Sequence, residues 1–258
     1  MTTELRFLRI LWKWLDREMI RSQKRVVVSL LLDGRSLVKG NLFKRHSYVG
    51  DPLNMLRIFS DKKVDELCLL QINPNKALDL PFLKSLAEEA RMPIAYGGGL
   101  EVIDDALRVI DLGFEKLVLH SALHRDLAFS DNLASKIGAQ SVVASVNVRT
   151  VKNTFWSCWG RKPRKDLLNY FKELNSSGCG EILINNIDLE GTNKGPNLNL
   201  ANISSSWLSK PVLYGGGVGS HQHVKSLLDI PSLSGVVVGN MSIYHGNRRA
   251  VLPSYFYD

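Results

Sequence analysis

The sequence predicts an α/β fold, a (β/α)8 barrel built from two similar half-barrels, on three observations. Pro93-Ile-Ala-Tyr-Gly-Gly-Gly-Leu100 returns as Pro211-Val-Leu-Tyr-Gly-Gly-Gly-Val218. The flanks repeat in the same order and at nearly the same spacing: Arg25–Leu31 with Ser141–Asn147, Asp65–Ile72 with Gly180–Ile187, and Glu115–Ser121 with Ser234–Asn240. The repeated runs are apolar throughout, as expected of strands buried on both faces, and amphipathic stretches separate them. The unit is too long for a solenoid repeat. Eight strands with intervening helices in two equivalent halves define the barrel. A doubly wound open sheet would share the alternation but leave the two-fold repeat unexplained.

Taken in order, residues 1–23 form an N-terminal amphipathic extension, and residues 24–258 form the barrel. In the extension Leu5, Leu8, Leu11, Trp12, Leu15 and Met19 fall at helical spacing among Arg6, Arg9, Lys13 and Arg17. It lacks an apolar run long enough to span a bilayer and a small-residue cleavage site. A helix packed on the barrel, or a true start at Met19, is preferred over a membrane-surface helix. Strands are expected near 25–31, 65–71, 93–96, 115–119, 141–147, 180–185, 211–214 and 235–239. Helical stretches include Pro52–Ser60, Pro81–Arg91, Val102–Leu112 and Asp166–Ser177. Asp104 and Asp166 suit early helix turns, and Gly113, Gly138 and Gly178 suit helix ends.

Composition narrows the function. A hydrophobic content of 45% and a charged content of 22% are ordinary for a globular chain. A formal charge of +8 favours anionic ligands, but no zinc spacing, RNA-binding aromatic motif or basic helix supports a nucleic-acid partner. The three cysteines, Cys68, Cys158 and Cys179, have no metal-like spacing and point to a reducing, cytoplasmic setting. The histidines form no metal set, and no cofactor is expected. His221 and His223 are expected at the surface, and Trp156–Trp159 is read as a lid, an interaction surface or an exposed hairpin.

The loops after the strands form the functional face of such a barrel. Both Gly-Gly-Gly turns follow strands, and the next strands end in His120-Ser121 and Gly239-Asn240. Three glycines let the backbone approach a ligand closely, and free N–H groups at such turns can cradle phosphate. Gly99 with Ser121, and Gly217 with Asn240, are therefore expected to bind a phosphorylated small molecule on opposite sides of the mouth. A ring at His120 would crowd the anion or, if protonated, attract it.

Leu37-Val-Lys-Gly40, Gly50-Asp-Pro52, Val64-Asp-Glu-Leu67, Tyr96-Gly-Gly-Gly99, Gly180-Glu-Ile-Leu183 and Glu190-Gly-Thr192 resemble the cyclase (HisF) subunit family of imidazole glycerol phosphate synthase. The resemblance covers roughly residues 24–250. It implies a barrel that takes ammonia from a class I glutaminase at its bottom and cleaves and cyclises a bis-phosphorylated nucleotide at its top. It also implies phosphate contacts at Gly191 and Gly239, and a substrate-covering loop after strand one carrying Lys39 and Phe43. The two aspartates that serve the family as acid and base align with Leu31 and Asn147. Neither residue transfers protons at neutral pH, which argues against the original lyase chemistry. Gln71 and Ser29 replace a further aspartate and a cysteine.

The family's ammonia gate aligns with Arg25, Glu66, Lys116 and Glu181, with alternating signs. Val27, Leu69, Val118 and Leu183 are expected beyond it, as the lining of an apolar channel or as nearby packing. Versions near surface-sugar genes imply amidine formation on a sugar nucleotide, with an ATP-dependent amidotransferase as a further partner. A surviving histidine-pathway cyclase and a non-catalytic phosphate-binding barrel are the alternatives.

Overall fold

A computed structural model describes residues 24–42, 44–73, 77–246 and 248–255. The extension 1–23 and Phe43 lie outside the described residues.

Eight parallel strands close on themselves. They are β1 (Arg25–Asp33), β4 (Glu66–Gln71), β5 (Ile94–Gly97), β6 (Lys116–Leu119), β7 (Val142–Val151), β10 (Glu181–Asn186), β11 (Val212–Gly215) and β12 (Gly235–Val238). Each pairs with the next, and β12 returns to β1 through Arg25↔Gly235 to Val28↔Val238. The intervening numbers belong to two antiparallel hairpins. One, β2 (Ser36–Asn41) with β3 (Lys44–Gly50), folds back on β1; the other, β8 (Thr154–Trp159) with β9 (Lys162–Asp166), folds back on β7. The hairpins follow the first and fifth barrel strands, so they repeat with the half-barrels. Sequence patterning places a loop after strand one; the structure places Lys39 within β2 instead.

Outside the barrel run α1 (Pro52–Asp61), α2 (Leu80–Glu89), α3 (Ile103–Asp111), α4 (Ser121–Arg125), α5 (Ala128–Ile137), α6 (Leu167–Asn175), α7 (Leu198–Trp207) and α8 (His221–Leu228). Their starts follow local chemistry. Asp51 accepts from the Asn54 N–H ahead of Pro52, and Asp166 accepts from the Asn169 N–H. Asp79, Asn197 and Ser220 cap α2, α7 and α8 in the same way. Each cap of this kind contributes about 1 kcal/mol. Gly113 and Gly138 end helices at φ +107° and +85°, as their positions in the sequence predict.

The strands divide their side chains between two cores. Val27, Cys68, Ala95, Val118, Val143, Leu183, Leu213 and Val237, one from each strand, point inward and fill the barrel axis. The alternate residues, Val26, Val28, Leu67 and Leu69 among them, pack outward against helix residues such as Leu56, Leu86 and Tyr170. Of the two roles open to it, Leu69 therefore takes nearby packing, and Cys68 lines the axis. A strand alternates faces, so a shift of one residue exchanges the cores.

The C-terminal segment packs against the starts of β1 and β4. Buried Tyr255 donates its hydroxyl to the Val26 carbonyl and accepts from the Asp65 N–H, at 3.1 and 3.0 Å. Among the described residues, no helix is long and apolar enough to cross a membrane.

Candidate functional site

The C-terminal ends of the barrel strands surround a cavity of about 470 Å³. Leu31, Gly99, His120, Ser121, Asn147, Gly191, Gly217, Gly239 and Asn240 all line it, so the structure brings together the cavity residues expected from sequence.

The two glycine turns share one construction. Gly98 and Gly99 have φ +113° and +72°, and Gly216 and Gly217 have φ +102° and +81°. A Cβ on Gly98 would lie 2.3 Å from the Gln71 carbonyl oxygen, and one on Gly216 would lie 2.4 Å from that of Asn186. No other residue fits either place without moving backbone. The second turn is more enclosed: the Gly195 N–H donates to the Gly217 carbonyl at 2.9 Å, and a Gly217 Cβ would lie 2.1 Å from the Gly195 oxygen. Asn240 donates its side-chain N–H to the Gly191 carbonyl at 2.7 Å.

Lys39 stands behind the second turn. Its ammonium is buried, donates to the Ser29 carbonyl at 2.6 Å, and lies 2.9 Å from the position a Gly239 Cβ would occupy. Burial lowers its pKa to about 8, with Glu190 opposing the shift. Burial in turn raises the Glu190 pKa, with Lys39 opposing.

At the floor, Asn185 Nδ2 donates to Asn147 Oδ1 at 3.2 Å, and Asn147 Nδ2 faces His120 Nε2 at 3.3 Å. His120 Nδ1 lies 2.8 Å from the Ser145 carbonyl oxygen. Burial lowers the His120 pKa, and the bond to Ser145 only partly opposes this, so the ring is a neutral wall rather than a cation beside the first turn. At the mouth Trp159 lines the cavity, with Arg164 5.3 Å and Arg125 6.0 Å from its ring centre. His124 stacks between Trp159 and Tyr170, and its pKa falls to about 4, chiefly through burial. The Trp156–Trp159 segment thus lies in strand β8 of a hairpin beside the mouth.

The opposite end carries the four-charge ring. Arg25 contacts Glu66 and Glu181 at 2.7 and 2.5 Å, and Lys116 contacts the same carboxylates at 2.9 and 3.2 Å. Burial alone would lower the Arg25 pKa, but Glu181 and Glu66 together hold it above its ordinary value. Above the ring a space of about 10 Å³ is lined by the inward apolar residues. Val118, Leu183 and Val237 line both this space and the upper cavity, which places ring, apolar axis and cavity in series.

Among the described residues, no cluster of three or more His, Cys, Asp or Glu is arranged to hold a metal. Sequence reasoning missed Asn185, Ser145 and the inward turn of Lys39. The polar pair Asn185-Asn186 ending an apolar strand was a usable signal.

Fold and site together define a two-fold barrel with paired glycine turns at one end and a charged ring at the other. The chain belongs to the histidine biosynthesis protein family, whose model matches residues 25–248. Its relatives are HisF-type barrels. A Pseudomonas aeruginosa protein provisionally named imidazole glycerol phosphate synthase subunit hisF2 is 38% identical over 244 residues, covering 90% of this chain and 96% of its own. A Vibrio vulnificus protein provisionally named subunit hisF3 is 34% identical, covering 92% and 94%. The Campylobacter concisus imidazole glycerol phosphate synthase subunit HisF is 33% identical, covering 80% and 84%.

Proposed function

We propose that this barrel carries ammonia rather than cyclising a nucleotide. It receives ammonia from a class I glutaminase seated on the lower face and passes it along the apolar axis to an acceptor at the upper face. The observation that carries the reading is the pairing of an intact ring, Arg25, Glu66, Lys116 and Glu181, with a cavity floor that holds Leu31 and Asn147 where the cyclase needs two carboxylates. Only neutral ammonia passes an apolar axis at low cost, because an isolated charge there would be strongly penalised.

The glycine turns support a phosphorylated ligand, with Gly99 and Ser121 at one end and Gly191, Gly217, Gly239 and Lys39 at the other. The acceptor class proposed is a sugar nucleotide of surface polysaccharide biosynthesis, amidated to an amidine with an ATP-dependent amidotransferase. The names hisF2 and hisF3 given to relatives are consistent with versions separate from a primary cyclase.

The test has two arms. The purified barrel, given the bis-phosphorylated nucleotide and ammonium, is expected to show no cyclase turnover; turnover near that of an ordinary cyclase subunit would refute the loss. With glutaminase and acceptor enzyme present, amidation driven by glutamine should exceed that driven by an equal amount of free ammonium. Equal rates, or no glutaminase binding, would refute the carrier.

A further inference from the structure

The floor of the upper cavity contains one uninterrupted chain of uncharged polar groups. Asn185 Nδ2 donates to Asn147 Oδ1, Asn147 Nδ2 meets His120 Nε2, and His120 Nδ1 meets the Ser145 carbonyl. A carbonyl oxygen can only accept, so the His120 proton sits on Nδ1 and Nε2 is a lone-pair acceptor. The 3.2 and 3.3 Å contacts are long for hydrogen bonds and can open to a small guest. The chain stands where the apolar axis ends, because Val118, Leu183 and Val237 line both spaces.

Building on the carrier reading, we propose that His120, Asn147 and Asn185 form a binding station for one molecule of neutral ammonia, selecting NH3 over NH4+. Ammonia brings three donors and one lone pair. The station offers Nε2 and amide oxygens as acceptors, and amide N–H groups as donors. Ammonium brings four donors and a charge, and it needs a compensating anion when withdrawn from water.

The floor supplies none: Leu31 lines it as a hydrocarbon, and Asn147 is an amide. The carboxylates elsewhere on the cavity wall already face cations, Glu101 with Arg125 and Glu190 with Lys39. The titratable and charged groups around the imidazole offer a cation there no compensating negative charge. His124 approaches edge-on at 5.0 Å between ring centres, and the positive charges of Lys165 and Arg164 act on His124. The substitutions that remove proton transfer thus also remove the groups that would trap ammonia as its unreactive cation.

The barrel alone tests this, with ammonium chloride as the probe and sodium chloride at equal strength as the control. The His120 ring nitrogens are followed by NMR in histidine-labelled protein near pH 6.5 and 8.5, where the free-ammonia fraction differs about a hundredfold. The Nε2 signal should respond to the probe at the higher pH and not at the lower, beyond any effect of sodium chloride. In Asn147→Asp the response should appear at the lower pH as well, with ammonium bound about tenfold more tightly than by the wild type. If that variant does not fold, Leu31→Asp sets a carboxylate on another wall of the same floor and makes the same prediction.

Equal wild-type responses at both pH values, or carboxylate variants with unaltered selectivity, would overturn the station. The carrier reading fails separately, through the glutamine-dependent amidation assay. Selectivity without coupling would keep the station and remove the carrier, whereas coupling without selectivity would remove only the station.

Discussion

At the lower end of the barrel two cations and two nearly buried carboxylates stand 2.5–3.2 Å apart, while the floor of the upper cavity holds Leu31, Asn147, Asn185 and a neutral imidazole. The two places are joined by one apolar axis and enclosed by the same eight strands, so the difference is one of chemistry rather than of scaffold. Charge is retained where four groups compensate one another, since a lone buried charge costs several kcal/mol. The floor of the upper cavity carries no carboxylate. On the carrier reading proposed above, a floor without a carboxylate at one end and four mutually compensated charges at the other suit transport along the axis more than proton transfer at its end.

The contrast breaks most sharply at Glu181. Glu181→Ala would leave Arg25 and Lys116 sharing Glu66 alone, and urea unfolding should show a loss of about 3–5 kcal/mol. A loss below about 1 kcal/mol would mean that the lower ring is no structural unit.

At the upper end the expected cost comes from backbone, not charge. Gly217→Ala should lose about 1–3 kcal/mol, because its Cβ meets the Gly195 carbonyl at φ +81°. Gly160→Ala, also at positive φ (+57°) but with nothing within 4 Å, separates conformational strain from collision and should cost about 1 kcal/mol. Equal costs at the two positions would discount the enclosure of the second turn.

Lys39 sharpens the comparison through pH. Its pKa is about 8, so its positive charge is present below that value and lost as pH rises through it. Sulfate, whose own charge stays fixed over this range, should therefore bind about tenfold more weakly near pH 9 than near pH 7. Lys39→Met should bind weakly at both, and calorimetry showing a wild-type affinity flat with pH would detach Lys39 from the anion site.

Lys116→Met should lose less stability than Glu181→Ala, because Lys116 is the more exposed partner and Arg25 still spans Glu66 and Glu181. Coupling of glutamine hydrolysis to amidation should nonetheless fall in that variant. Unchanged coupling would show that the ring does not govern passage.

Much of this arrangement is legible in the sequence because the halves repeat. The duplicated Tyr-Gly-Gly-Gly turn and its flanking strands give the barrel, its functional face and the residues of the cavity wall. What was not legible depended on partners distant in the chain. The β2–β3 hairpin is polar at Lys44, His46 and Ser47, and gains its place by pairing Leu31 with Val38 and Leu32 with Leu37. The inward turn of Lys39 follows from that pairing. At Leu69 the choice between channel lining and nearby packing was open for another reason: strands apolar on both faces carry no phase. The phase was present in the ring. Arg25, Glu66, Lys116 and Glu181 are each followed two residues later by an inward side chain, Val27, Cys68, Val118 and Leu183.

The close packing at Gly235 has a consequence for orientation. By the internal repeat, Glu66 and Glu181 are counterparts, but the counterparts of Arg25 and Lys116 are Ser141 and Gly235. A side chain at Gly235 is excluded, because its Cβ would lie 2.5 Å from the Arg25 carbonyl oxygen and 3.3 Å from Arg25 Cγ. The backbone at this end keeps the memory of a two-fold axis, but both cations come from one half. To anything approaching from below, a half-turn of the barrel is a different surface, and the two seatings that perfect duplication would leave equivalent become distinguishable by charge alone.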